Sequence, residues 1–406
     1  MPGVNARRPP AAIAPVRVVA QGLACASGVG QAALAQALAG NRSALVANDW
    51  SRVPLPTWIG RVAGIEDVRL PPALAPWDCR ATRLAWLGLQ ADDFIAAAAA
   101  AVQRHGAARV GLVLGTSAST IGVSETAYRM PAADGGFPAP WRQEPLNTLH
   151  ALTAFVQQAL GLQGPCVTVS TACSSSAKAF AQAERWLRLE LADAVVVAGV
   201  DALCESVLFG FHALQLLSPQ PCQPFGARRR GISVGEAAGY ALLERGPGPL
   251  QLLGHGESND AHHMSSPHPQ GLGAERALDD ALARAGLAAT DIGYLNLHGT
   301  ASARNDEVES ALVARRYAPG VHASATKGIT GHAMGAAGIV EAVISLLALD
   351  PGLRSGSTGS DEVDAALGAT FAAQLQRAPD RVATRCAASH SFGFGGNNAV
   401  LIFGRG

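Results

Sequence analysis

The sequence predicts an α/β fold built from two similar halves. Its apolar runs are nearly continuous rather than alternating with polar residues, which favours strands covered on both faces. Helical stretches such as "TLHALTAFVQQALGL" and "GAERALDDALARAGL" separate these runs, and this alternation is typical of α/β proteins. In each half a strand ("CVTVST", "VHASATK") leads towards a helix that opens with small residues, which indicates a loose duplication.

The predicted elements follow in order. Residues 1–14 are expected to be a flexible tail. A signal peptide is not expected, because Pro10, Pro15 and Arg17 interrupt the apolar core that it would need. "VRVVAQGLA" is the first predicted strand, the alanine run 96–101 is a helix and "RSGSTGSDE" is a loop. The other predicted strands are 110–117, 166–171, 193–201, 239–245, 292–300 and 399–404.

The two halves are predicted to meet at "GPGP", residues 246–249, where glycine and proline interrupt any regular pattern. The N-terminal half then spans 15–248 and the C-terminal half spans 249–406.

Composition limits the classes of function. The 406 residues carry no formal net charge, which does not favour nucleic acid or anionic lipid as a partner. No run of about 18 apolar residues is uninterrupted, so no membrane span is predicted. The seven cysteines are scattered and contain no CxxC, which indicates neither a disulfide framework nor a zinc knuckle and favours the reducing cytoplasm.

The stretch "VSTACSSSAKAF" places Cys173 between a strand and a helix. Free N–H groups at a helix N-terminus favour a thiolate and can stabilise an oxyanion on an attacked carbonyl. The alternative is a buried packing cysteine, since cysteine is among the most buried residue types.

Two stretches carry histidines. In "YLNLHGTASARNDEVES", His298 follows a buried strand, and strand ends are where α/β folds build sites; Asn305 is expected to cap the next helix. In "SATKGITGHAMGAAGIVEAV", Lys327 and His332 flank a glycine turn, and a lysine in such apolar surroundings needs a partner. Glu341 is the nearest candidate. A structural histidine and a structural ion pair are the alternatives.

The last stretch, "SHSFGFGGNNAVLIF", interleaves glycines with Phe392 and Phe394. Glycine permits close approach of the backbone to a ligand, and the two rings are suited to gate an apolar channel. A tight turn without a ligand is the alternative.

Together, "TACSSS", "HGT…ND", "TKxxTGHxxGAAGxxEA" and "SFGFGGNN" resemble, in this order, the β-ketoacyl-acyl-carrier-protein synthases, condensing enzymes of the thiolase fold. The resemblance runs from "VRVVAQGLA" to "LIFGRG". It implies a thiolase-like five-layer αβαβα fold of two similar halves, a dimer, and a soluble acyltransferase without a metal or redox cofactor.

The resemblance also implies roles. Cys173 becomes the acyl-accepting nucleophile, and His298 and His332 the two catalytic histidines. Lys327 supports the second histidine, and Glu341 joins the same network. The backbone N–H groups of Cys173 and Phe394 form the oxyanion hole.

The remaining implied residues bind substrate. Phe394 gates the acyl pocket, and Thr300 and Ser302 hydrogen-bond the phosphopantetheine arm of an acyl-carrier protein. Phe392 is also expected to bind substrate. "NDAHHMSSP" resembles a second gating loop, with Asp260 and His263 at its characteristic positions.

The implied reaction loads an acyl chain on Cys173, decarboxylates malonyl-carrier protein and condenses the two. "SSSAK" after the nucleophile and "GFHALQLLSPQPCQPF" are more similar to synthases of bacterial specialised pathways, such as those for aryl polyenes. The expected partners are the carrier protein and either a second copy or a related chain-length subunit.

The residues argue against three other functions. A degradative thiolase needs a second catalytic cysteine, but Cys386, the C-terminal candidate, lies before the glycine-rich loop. A catalytically silent chain-length partner characteristically lacks the nucleophile, which is present here. A papain-like hydrolase is disfavoured by the motif around Lys327 and His332 and by the residues around Cys173.

Overall fold

Two β-sheets organise the chain in the computed structural model, which describes residues 10–136 and 144–406. The strands up to residue 245 are β1 (Val16–Cys25), β2 (Gly28–Val29), β3 (Val46–Ala47), β4 (Trp58–Gly60), β5 (Val110–Gly115), β6 (Cys166–Val169), β7 (Ala194–Asp201), β8 (Val234–Gly235) and β9 (Ala237–Arg245). The helices of this part are α1 (Gln31–Ala39), α2 (Arg80–Gln90), α3 (Phe94–His105), α4 (Ile121–Arg129), α5 (Ala151–Leu160), α6 (Ser175–Arg188) and α7 (Glu205–Ala213).

The rest of the chain repeats the pattern. Its strands are β10 (Leu250–Asn259), β11 (Tyr294–Asn296), β12 (His322–Ser324), β13 (Leu353–Arg354), β14 (Asp380–Arg381), β15 (Cys386–Gly393) and β16 (Asn397–Arg405). Its helices are α8 (Leu272–Ala285), α9 (Ala303–Arg316), α10 (Lys327–Thr330), α11 (Ala337–Leu349) and α12 (Ala369–Gln374).

The sheet topology confirms the duplication. The first sheet has the order β2-β1-β9-β7-β5-β6 and the second β10-β16-β15-β11-β12. If the five main strands of each half are numbered along the chain, both sheets read 1-5-4-2-3. The strand directions agree as well: the pairs 1-5 and 5-4 are antiparallel, and the pairs 4-2 and 2-3 are parallel.

The layers follow from this duplication. Helices α6 and α11 lie between the two sheets and share one core with both of them. Helices α2, α3 and α5 cover the outer face of the first sheet, and α8 and α9 cover that of the second. This is the expected five-layer αβαβα arrangement.

Small residues allow the two central helices to approach closely. A Cβ on Gly338 would lie 2.6 Å from the amide nitrogen of Ala177. A Cβ on Gly115, at the end of β5, would lie 2.3 Å from the amide nitrogen of Ser176. Any side chain at either glycine would force the two backbones apart. The small residues at the start of these helices therefore allow α6 to pack closely on α11 and on β5.

Most predicted elements are present, with different ends. The predicted strand 292–300 is regular only at Tyr294–Asn296, and 166–171 ends at Val169. Residues 246–249 lie between β9 and β10, which belong to different sheets. Within the expected tail, residues 1–9 lie outside the described part, and the Ile13 amide donates to the Arg284 carbonyl at 2.9 Å.

Within the described residues, one helical stretch, Arg80–His105, is long and apolar enough to cross a membrane by length and composition. The stretch is broken by Asp92 and Asp93, whose φ angles are 55° and 56°. Its buried face packs on the first sheet, where the Tyr240 hydroxyl donates to the Ala85 carbonyl at 2.9 Å. This is how a core helix pair packs.

Candidate active site

The predicted residues converge because equivalent strands end at the same place in both halves. Cys173 follows β6 and precedes α6, while Lys327 and His332 follow β12 and precede α11. His298 follows β11, and Phe394 follows β15. One atom each from Cys173, His298 and His332 lies within 4.8 Å of the others, and all three residues are buried.

The turn that presents Cys173 is fixed by its serines. Ala172 has a φ of 53°, a left-handed conformation that needs support in a residue with a side chain. The Ser175 hydroxyl donates to the Ala172 carbonyl at 2.6 Å, and the Ser174 hydroxyl donates to the Thr171 carbonyl at 2.9 Å. The sequence "CSSS" therefore holds Cys173 at the start of α6.

The electrostatics of the thiol differ from the expectation. Burial raises the pKa of Cys173 to about 11, although the charge of Lys327 and the N–H groups of Phe394 and Cys173 lower it. The amide donors are present as predicted, but they do not compensate for desolvation. Burial therefore opposes the thiolate that the position at the helix start favours.

Both histidines are neutral. Burial, with Lys327 as the next cause, holds the pKa of His298 and of His332 well below 6.5. The Met334 amide donates to Nδ1 of His332 at 3.1 Å. Nδ1 of His298 lies 3.3 Å from Nζ of Lys327, and an ammonium has only donors. In both rings the proton is therefore on Nε2, which remains available to donate.

Lys327 contacts a different histidine from the one expected. Its ammonium donates to the His298 carbonyl at 2.6 Å and pairs with Glu341, and no hydrogen bond joins it to His332 among the described residues. Burial raises the pKa of Glu341 to about 7, opposed by Lys327. Lys327 therefore orients His298, while the backbone of His332 is held by Ser233 and Gly235.

Glu309 was not predicted, although it lies in the same sequence stretch as His298. Its carboxylate accepts from the amides of His298 and Gly299, both at 2.8 Å, and lies 3.1 Å from Nδ1 of His390. Glu309 lies one helical turn beyond Asn305, so the two side chains share one face of α9. This spacing is the feature of the sequence that could have indicated Glu309.

Asp201 was also missed. It is buried at the end of β7, and its carboxylate accepts from the amides of Ser117, Ala118 and Gly335 at 2.7–2.8 Å. Burial raises its pKa, while these donors lower it. Asp201 therefore ties the loop after His332 to the end of β5.

The expected cap at Asn305 is wrong. Helix α9 begins at Ala303 with Ser302 at the N-cap position, so Asn305 lies inside the first turn. Its amide nitrogen donates to Asp306 at 3.1 Å and to Glu309 at 3.2 Å. Burial raises the pKa of Asp306 to about 7. Asn305 thus joins two buried acids instead of capping the helix.

A cavity of about 300 Å³ leads to the three reactive side chains. The predicted substrate-binding residues that line it are Thr300, Ser302, Phe392, Phe394 and Asp260. His263 is not among the described residues around this cavity; it lines a neighbouring surface groove beside Arg304. Leu214, Leu216 and Ile232 make the cavity largely apolar.

The two predicted gating segments contact each other. The Gly395 amide donates to the Met264 carbonyl at 2.7 Å, and the Asp260 amide donates to the Gly396 carbonyl at 2.9 Å. The Phe394 ring packs edge-on against Phe211 with 5.8 Å between centroids. The two segments and this ring pair form one wall of the cavity.

The arrangement combines three chemical elements. A thiol is placed for covalent catalysis, two neutral imidazoles supply N–H donors, and two backbone amides face the sulfur. Neutral donors suit an enolate oxygen, and the amides suit the oxyanion of an attacked thioester. The site is therefore equipped for acyl transfer and carbon–carbon condensation.

Comparison with known proteins agrees with this chemistry. The β-ketoacyl synthase N-terminal domain matches residues 81–247, and the C-terminal domain matches 251–357. Nodulation protein E of Rhizobium meliloti (strain 1021) is 35% identical over 315 residues, covering 73% of this chain and 76% of that protein. The 3-oxoacyl-[acyl-carrier-protein] synthase 2 of Vibrio cholerae serotype O1 is 31% identical over 323 residues, covering 75% of this chain and 78% of that protein.

A solved complex of a ketosynthase with its chain length factor from Xenorhabdus doucetiae contains a similar chain. It has a TM-score of 0.86 and 33% identity, and the match covers 97% of this chain and 98% of that one. With a repeated sheet topology, a buried Cys–His–His centre and relatives matched over most of their length, the chain belongs to the β-ketoacyl synthase family.

Proposed function

We propose that the chain is a 3-oxoacyl-[acyl-carrier-protein] synthase. It transfers an acyl chain to Cys173, decarboxylates malonyl-carrier protein and joins the two into a β-ketoacyl-carrier protein. The observation that carries this proposal is the meeting of Cys173, His298 and His332 within 4.8 Å at the end of an apolar cavity.

In the first step the sulfur of Cys173 attacks the acyl thioester of the carrier protein. The carbonyl oxygen becomes an oxyanion between the amides of Cys173 and Phe394. Collapse breaks the bond to the pantetheine sulfur, and the proton of the Cys173 thiol ends on that sulfur. The exchange is therefore neutral in protons, and the thiol gives up its proton as its sulfur attacks.

In the second step malonyl-carrier protein loses carbon dioxide. The electrons of the broken C–C bond move into the thioester enolate, whose oxygen accepts from Nε2–H of His298 and His332. Because both imidazoles are neutral, they donate hydrogen bonds without trapping the enolate by protonation.

In the third step the enolate carbon attacks the acyl-Cys173 carbonyl. A C–C bond forms, the C–S bond breaks, and the Cys173 sulfur leaves and takes up one proton. The product is two carbons longer and stays on the carrier protein.

The reaction as proposed uses no metal or redox cofactor, because donors and nucleophile come from side chains and backbone. The phosphopantetheine arm is part of the carrier protein. The hydroxyls of Thr300 and Ser302, 2.9 Å apart on the cavity wall, are placed to hydrogen-bond its amides.

The partner we propose is a second copy or a related chain-length subunit. Similarity to a ketosynthase solved with its chain length factor supports the latter. Cys173 and its amide donors make this chain the catalytic subunit rather than a silent one. We further propose a cytoplasmic enzyme of a specialised pathway, such as that for aryl polyenes, with units 15–248 and 249–406.

Intact-protein mass spectrometry tests the proposal. Wild type, Cys173→Ala and Cys386→Ala are mixed with carrier proteins bearing a panel of acyl chains, with and without a candidate partner subunit. An adduct on wild type and Cys386→Ala but not on Cys173→Ala is expected. An adduct that survives Cys173→Ala, or none under any condition, refutes the assignment.

A further inference from the structure

Lysine is almost absent from this chain. Of its 31 lysine and arginine residues, 29 are arginine, and the lysines are Lys178 and Lys327. Lys327 is buried beside His298. Lys178 is partly buried on α6, five residues after Cys173. Both lysines lie on segments that build the proposed catalytic centre. This placement indicates that these two positions need a compact ammonium and that the larger guanidinium of arginine does not replace it.

Contacts lead from Lys178 back to the nucleophile. Its Nζ donates to Oδ1 of Asn397 at 3.0 Å. The other end of that amide, Nδ2, lies 3.4 Å from the Phe394 carbonyl. The N–H of Phe394 in turn faces the sulfur of Cys173. Lys178 thus links the helix that starts at the nucleophile to the turn that supplies the second amide donor.

The turn needs such a link because its own sequence gives it little rigidity. Residues 393–396 are Gly-Phe-Gly-Gly, and Gly395 and Gly396 have φ angles of 74° and 71°. A Cβ on Gly393 would lie 3.2 Å from the Cys173 amide nitrogen, so glycine is used to bring the turn close. Glycine-rich backbone has many alternative conformations, so contacts from outside the turn select one. Met264 and Asp260 bond Gly395 and Gly396, and the link through Asn397 reaches Phe394 itself.

The charged groups around Lys178 do not take the place of its contact with Asn397. Glu257 on β10 attracts the ammonium, and Arg185 on α6 repels it. These two residues pair with each other. Burial lowers the pKa of Lys178, and the hydrogen bond that its ammonium makes within the described residues is the one to Asn397. A guanidinium is larger and planar, and it would displace the Asn397 amide from its contact with the turn.

We propose that Lys178 is a positioning residue that, through Asn397, holds the Gly393–Gly396 turn so that the Phe394 amide faces Cys173. This inference rests on the proposed function. Its effect is confined to steps that use the oxyanion site, because the donors for the enolate, His298 and His332, lie on other segments.

The first test measures activity in Lys178→Met, Lys178→Arg and the control Arg188→Met, which removes an exposed cation from the same helix. The rate of Cys173 acylation at saturating acyl-carrier protein should fall about 10-fold or more in both Lys178 variants, with KM within about two-fold. Malonyl decarboxylation should stay within about two-fold, and Arg188→Met should match wild type. Parallel loss of both activities would show a general structural role and overturn the proposal.

A double-mutant cycle tests the route. If Lys178 acts through Asn397, adding Asn397→Ala to Lys178→Met should cost little more than either change alone, whereas independent effects multiply. Multiplying effects contradict the proposed route.

The second test does not depend on activity. Hydrogen exchange of a peptide covering 392–398 should be about 10-fold faster in Lys178→Met than in wild type, with an unchanged thermal midpoint. Unchanged exchange overturns the proposal even in an inactive protein. If wild type forms no Cys173 adduct while the exchange rates differ as expected, the proposed function fails but the positioning contact stands.

Discussion

Replacing Glu309 by glutamine removes the charge that holds the His298 segment to α9. The two oxygens of Glu309 accept from the His298 and Gly299 amides at 2.8 Å. Glutamine presents an NH₂ group to one of those donors and a neutral oxygen to the other. A hydrogen bond to a charged group contributes about 1.5–3 kcal/mol, so weakening or losing two costs about 3–6 kcal/mol.

This cost converts into a thermal shift. An unfolding entropy of about 2.1 cal/mol/K per residue gives about 0.85 kcal/mol/K for 406 residues. The expected decrease in Tm is then about 4–7 °C, measured by calorimetry. Malonyl decarboxylation should fall as well, because His298 is displaced.

Glu307→Gln is the matched control. Glu307 lies on the same helix, but it is exposed and pairs with Arg304 at the surface. Exposed pairs contribute about 1 kcal/mol or less, so the shift should not exceed about 1 °C. Equal shifts in the two variants, or one below about 2 °C for Glu309→Gln, would refute the reasoning.

Three further outcomes are expected. His332→Ala should reduce malonyl decarboxylation, measured as released carbon dioxide, while acylation of Cys173 survives; wild-type decarboxylation would remove its assigned role. Because burial keeps the pKa of His298 and His332 below 6.5, lowering the pH from about 7.5 to about 6 leaves both rings neutral, and their imidazole nitrogen NMR signals should stay those of the neutral ring; a midpoint near 6.5 in these signals would contradict this. Gly338→Ala should cost about 1–3 kcal/mol in the free energy of unfolding, because its Cβ meets the backbone of α6, whereas Gly122→Ala, with open space around it, should be neutral or stabilising in the same denaturant titration.

The parts of the fold that leave a local pattern in the sequence were predictable. Apolar runs indicated the main strands, and glycine and proline at 246–249 marked the change of sheet. The five-layer arrangement was implied by the resemblance, and the repeated strand order 1-5-4-2-3 shows why the halves look alike. Strand ends were less predictable, because pairing partners far along the chain decide where a ladder stops.

The site was predictable where chemistry follows a strand end, as at Cys173 and His298. Lys178 and Asp201 were missed because their partners, Asn397 and Gly335, are more than 130 residues away in the sequence. Sequence spacing gives no measure of such pairing. The resemblance assigned Lys327 to His332, whereas its ammonium donates to the carbonyl of His298, 29 residues earlier in the sequence.

The pKa of Cys173 shows most clearly what geometry adds. Position at a helix start favours a thiolate, whereas burial raises the pKa of the Cys173 thiol to about 11. Attack on a thioester requires the thiolate, and the amides of Cys173 and Phe394 that face the sulfur favour it. The same amides form shorter and stronger hydrogen bonds to an oxyanion than to a neutral thiol. The two amides therefore contribute most after the thioester has been attacked. The apolar surroundings that raise the thiol pKa also strengthen the hydrogen bonds from these amides to the oxyanion.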